Sequence, residues 1–149
     1  MTTVRYPIVL IATILWIGFV CAISFMESWI KFSAPGVTIP IGVGIGQLVF
    51  SILNKVEWLF AFTIFGSLIL LKGLRFSLHS LLIIITILIL IIQTVHTLPA
   101  MDVRAQLQIQ GQTVAPSNLH FYYVGMEIVK VFCLSIFGLT LFKQQPTQK

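Results

Sequence analysis

The stretch HFYYVGMEIVK at positions 120–130 sets His120, Tyr123, Glu127 and Lys130 into a run that is otherwise apolar. On a helix these four side chains lie within about 80° of one another. Gln47, Asn54 and Glu57 form a comparable stripe in an earlier run, and Gln93 and His96 stand three residues apart in another. Residues three apart are neighbours on a helix surface. Glu27, at the end of the first run, completes the set. Carboxylates brought to one level in a weakly solvated place can bind a cation, protons or a small polar molecule. The imidazoles of His96 and His120 are candidate metal or axial haem ligands across two helices. Gln93, Asn54 and Tyr123 supply hydrogen bonds that would orient a polar guest.

Depth counting brings the carboxylates together. From Lys143 and Lys72, at a rise of about 1.5 Å per residue, Glu127 and Glu57 lie about 24 Å and about 22 Å above the inner boundary of a bilayer core. That core is about 30 Å thick, so both carboxylates sit some 6–8 Å below its outer boundary. Glu27, His96 and His120 reckon out at the boundary or just beyond it. The stripes therefore predict one polar layer, fed by every helix and open to the outer side. Lys55 points about 160° away from Glu57 and is expected to snorkel to the surface.

The elements that must position these residues follow from composition. Of 149 residues, 58% are hydrophobic and 9% charged. Soluble domains carry about 25% charged residues, so the chain reads as an integral membrane protein. Four segments are long and apolar enough to span, roughly 7–26, 40–72, 77–97 and 117–142. The expected fold is an all-α, antiparallel four-helix transmembrane bundle forming one domain over 1–149. The second segment would make about 50 Å of helix, so it must project, tilt or break. The short KGLRFS link makes helices two and three antiparallel neighbours.

The charges sort by side. Glu27, Glu57, Asp102 and Glu127 are balanced in the outer half by Lys31, Lys55, Arg104 and Lys130, and the net +5 rests on Arg5, Lys72, Arg75, Lys143 and Lys149. Positive residues collect on the cytoplasmic side, which places both termini in the cytoplasm of a cell inner or plasma membrane. The expected partner is the lipid bilayer. Neither a basic run nor an interleaved aromatic patch points to nucleic acid. VCA at 20–22 resembles a small-residue cleavage site, but the apolar run before it exceeds a signal-peptide core, so it reads as an uncleaved anchor. His79, near Arg75, is expected at the inner interface.

Loops add detail. Gly42, Gly44 and Gly46 lack the spacing and the preceding strand of a nucleotide loop, so Gly42 and Gly46 predict close helix packing. Pro99 and Gly111 bracket a short outer helix over Ala100–Gln110, and Ser117 suits the N-cap of the fourth helix. The long loop between the third and fourth spans would act as a lid over the polar layer. Cys21 and Cys133 form no CxxC pair. The IKFSAP after the first span and the NKVEWLF within the second loosely resemble the four-helix DoxX-like membrane proteins, and no site residue is carried over from that likeness.

Three readings fit the layer. It binds or conducts a cation, a proton or a small polar ligand, with a homodimer or larger complex expected for a carrier. It is a set of ion pairs, Glu27–Lys31, Asp102–Arg104 and Glu127–Lys130, that only holds an accessory subunit's bundle together. Or it holds haem or metal through His96 and His120, with Met26, Met101 and Met126 as thioether donors; no motif requires a cofactor, and the chain has no Glu-x-x-His pair.

Overall fold

The computed structural model of the chain describes residues 2–4, 6–71 and 78–144. Arg5, Lys72, Arg75, Lys149 and the 72–77 link lie outside the described residues, as do the side chains of His79 and Lys143. Four helical rods are long and apolar enough to cross a membrane: Pro7–Ser33, Ile39–Leu70, Ser80–Ile109 and Leu119–Thr140. Their outward faces carry Ile11, Leu48, Phe62, Leu88 and Phe132, all exposed. Contiguous apolar exposure on this scale is costly in water and suits lipid, which suggests a multi-pass membrane protein.

Two of the rods are not plain α-helices. The first comprises α1 (Pro7–Val20), a π-helical stretch at Cys21–Glu27, the short α2 (Ser28–Ile30) and a 3₁₀ turn at Lys31–Ser33. The second is α3 (Ile39–Leu70), an unbroken 32-residue helix about 48 Å long, so its excess length is not taken up by a break. The third comprises α4 (Leu78–Ile92), a π-helical stretch at Gln93–Thr97, and α5 (Leu98–Ile109). The fourth is α6 (Leu119–Thr140). A short antiparallel pairing of β1 (Thr2–Val4) with β2 (Phe142–Gln144) ties the two ends of the chain, with Thr3 opposite Lys143.

The expected outer-loop helix exists, but as a continuation of the third span. Pro99 offers no N–H and crowds the carbonyl four residues back. The π-turn just before it absorbs that defect: Leu98 N–H reaches five residues back to the Gln93 carbonyl. Gly111 closes the rod as expected. At φ +75° it lets Gly111 N–H bond the Gln108 carbonyl and Gln112 N–H bond the Leu107 carbonyl, the pairing of a Schellman end. At α6 the Ser117 hydroxyl accepts the Leu119 N–H at 3.2 Å, while the N-cap position falls one residue later, on Asn118.

Packing divides at the level of the polar stripes. One large apolar core fills the end of the bundle toward the chain termini, with Val9, Trp16, Ile64, Leu90, Leu134 and Phe137 at its centre. A much smaller cluster of Phe50, Leu53, Leu98 and Tyr123 lies on the other side of the stripes. α1 packs on α3 and α6, α6 also on α4, and α3 on α5. The contact of α3 with α4 is sparse, despite the short link between them.

Candidate functional site

Lys130 is the hub. Its ammonium bonds Glu57 Oε1 on α3 and lies 3.1 Å from Glu127 Oε1, one turn back on α6. Glu57, Glu127 and Lys130 have no exposed surface. Two neighbours complete the arrangement. Trp16 on α1 donates its indole N–H to Glu57 Oε1 at 2.8 Å, and Gln93 in the second π-turn donates its amide to Glu127 Oε1 at 3.0 Å. All four rods thus meet at one ionic triad.

Local backbone form explains the position of Gln93 and of its neighbour Ser24. A π-turn is wider than an α-turn and re-aims the side chains it carries, and such turns recur at functional sites. The first π-turn buries Ser24 and the second buries Gln93. The same geometry overturns the expectation that Gln93 and His96 share a face. Across the wide turn Gln93 points inward, whereas His96 is exposed and lies outside both the triad and the cavity described below.

The triad holds more acceptors than the protein satisfies. Glu57 Oε2, Glu127 Oε2, Gln93 Oε1, the Ser24 hydroxyl and the Tyr123 hydroxyl are buried with no hydrogen-bond partner among the described residues. The Tyr123 hydroxyl lies beside Glu127 and Ser24 without closing a well-formed bond to either. Its ring stacks edge-on against Phe50 at 5.1 Å. Tyr123 therefore joins the ionic centre to the small apolar cluster.

Beyond that cluster lies a cavity of about 380 Å³, walled by Lys31, Phe32, Gly46, Gln47, Phe50, Leu98, Asp102, Arg104, Ser117 and His120 among others. The 114–117 stretch of the long loop forms part of its wall, and Arg104 fastens that stretch by donating to the Ala115 carbonyl. Gln106 bonds Gln47 at 3.0 Å, clipping α5 to α3. Glycines make room for the other wall. A Cβ at Gly42 would overlap the Phe32 ring, and one at Gly46 would come within 2.8 Å of the Lys31 ammonium. The close approach expected at these glycines is thus to side chains of the first rod.

The single polar layer expected from depth counting resolves into separate groups. Glu57, Glu127, Lys130, Gln93 and Tyr123 come together in the buried triad. Glu27 pairs instead with Lys31 at 3.2 Å, and His120 joins the cavity wall, 6.3 Å from Phe50. Asn54 turns toward the second π-turn, where the Thr94 hydroxyl holds both the Asn54 amide at 2.9 Å and the Trp58 indole at 3.0 Å. Asp102 and Arg104 form no ion pair with each other; two residues apart, they leave the helix in nearly opposite directions. Lys55 is exposed and stands apart from Glu57. No group of three or more His, Cys, Asp or Glu residues placed to hold a metal occurs among the described residues.

Sequence reasoning missed Trp16, Ser24, Thr94 and Trp58. Trp16 had a signal: it stands mid-span, away from the interfacial belt where tryptophans collect, so its N–H must find a partner inside the bundle. The chain matches no family model, no curated protein and no solved structure.

Proposed function

We propose that this is a membrane protein whose Glu57–Lys130–Glu127 triad binds one exchangeable proton. The observation that carries the reading is the charge count at a site without exposed surface, two carboxylates against one ammonium. A net negative charge buried among apolar side chains costs several kcal/mol, and one proton shared by the two carboxylates removes it. Two carboxylates that share one site resist ionising together, so one of them retains a proton. Intramembrane acids of this kind serve proton-linked transport and signalling.

Insulation around the triad supports exchange with the outer side. Toward the termini the triad faces the large apolar core, and toward the cavity it faces the smaller cluster of Phe50, Leu53, Leu98 and Tyr123. The topology that goes with this reading is antiparallel, with both termini and the basic residues in the cytoplasm. Pairing of Thr2–Val4 with Phe142–Gln144, which sets the two ends side by side, supports it.

One observation favours a purely structural role as a second reading: the triad's bonds to Trp16 and Gln93 cross-link all four rods. A proton count separates the two. In lipid nanodiscs, an indicator dye read through an alkaline pH jump should show the native protein releasing one proton more than Glu57→Gln or Glu127→Gln. Equal release from all three, with altered thermal stability alone, leaves the triad as a structural device.

A further inference from the structure

We propose that the outer cavity is a second site, distinct from the triad, that binds a small amphipathic monocarboxylate. The argument starts from which charges along its wall are already matched. The Lys31 ammonium is neutralised by Glu27 at 3.2 Å and lies over the Phe50 ring, 5.4 Å from its centroid. The Asp102 carboxylate has the Gln47 side chain for a neighbour and forms no ion pair among the described residues. Arg104 differs: its guanidinium has five N–H donors, and among the described residues its only hydrogen bond goes to a neutral carbonyl, that of Ala115. A forked, permanently charged donor without a carboxylate partner is matched in shape and charge by a ligand carboxylate.

The rest of the wall fixes the ligand's body and its charge. Phe50, Leu98 and Met101 give an apolar floor, and about 380 Å³ is within the range of small-molecule pockets. Asp102, which lines the cavity away from Arg104, opposes a second negative group, so a monoanion fits better than a phosphate dianion. The inference stands without the proton reading, since none of these groups belongs to the triad.

The test uses 2-naphthoate, 2-naphthamide and 2-naphthylmethylammonium, three probes of one shape that differ in charge. Binding is measured by equilibrium dialysis against protein-loaded nanodiscs, with binding to empty nanodiscs subtracted. Saturable one-to-one binding of naphthoate is expected, with the amide about tenfold weaker or more and the ammonium weaker still, the scale of one charge-assisted hydrogen bond. Arg104→Gln should weaken naphthoate by about tenfold or more and leave the amide unchanged. Because Arg104 also fastens the 114–117 stretch, a change at Val43, which lines the same cavity, serves as an independent variant: Val43→Phe fills space there, keeps Arg104, and should abolish binding of naphthoate and amide alike. Equal binding of all three probes overturns the proposal. So does loss of naphthoate binding in Arg104→Gln with full binding in Val43→Phe, because the anion would then sit elsewhere.

Discussion

Replacing Lys130 by methionine isolates the electrostatics of the triad. Methionine keeps much of the side chain's length and apolar bulk but removes the ammonium that bonds Glu57 and lies 3.1 Å from Glu127. Both carboxylates keep one donor each, Trp16 and Gln93, and neither gains access to solvent. Removing one partner of a buried ion pair costs about 3–5 kcal/mol, because the remaining charge is left uncompensated. Lys130→Met should therefore destabilise the protein by about that amount at neutral pH. The companion variant Lys130→Met/Glu57→Gln/Glu127→Gln carries no charge at the site and should recover a large part of that loss, since no uncompensated buried charge remains. Equilibrium unfolding in bicelles, followed by tryptophan fluorescence, gives both numbers. A loss under about 1 kcal/mol in the single variant would refute the claim that an uncompensated buried charge sets the cost. A triple variant as unstable as the single one would mean that packing, not charge, sets the cost.

Two further substitutions probe the supports of the two sites. Trp16→Phe removes the indole donor to Glu57 and should cost about 1.5–3 kcal/mol, falling toward the packing contribution alone when Glu57 is already Gln; a double-mutant unfolding cycle measures the difference. Gly42→Ala forces the Phe32 ring off α3 and should cost about 1–3 kcal/mol in the same unfolding experiment, whereas Gly66→Ala, where a Cβ meets nothing within 4 Å, should cost none.

The apolar spans and the inward stripes were legible because both depend on periodicity alone. Glu57, Glu127 and Lys130 sit on regular α-helix, so rise and angle per residue carried them to one place. His96 was misplaced because Gln93–Thr97 departs from α-geometry, and no composition signal announces a π-turn ahead of Pro99. Reading Pro99 as a helix start hid the continuity of α4 with α5 for the same reason. Trp16 was hidden differently: in a hydropathy count it is one more apolar residue, and only its mid-span position exposes the donor it must satisfy. Division of the polar residues into a buried triad and an outer cavity depends on Phe50, Leu53, Leu98 and Tyr123 converging from three rods, a tertiary event invisible in any one segment.

The shared proton itself is open to infrared spectroscopy of the protein in nanodiscs at neutral pH. A carboxyl C=O band that shifts on exchange into heavy water is expected in the native protein. It should vanish in Glu57→Gln and also in Glu127→Gln, because either substitution leaves a neutral carboxylate–ammonium pair with no need of a proton. Absence of the band from the native protein, or its survival in both variants, would contradict a proton held between Glu57 and Glu127.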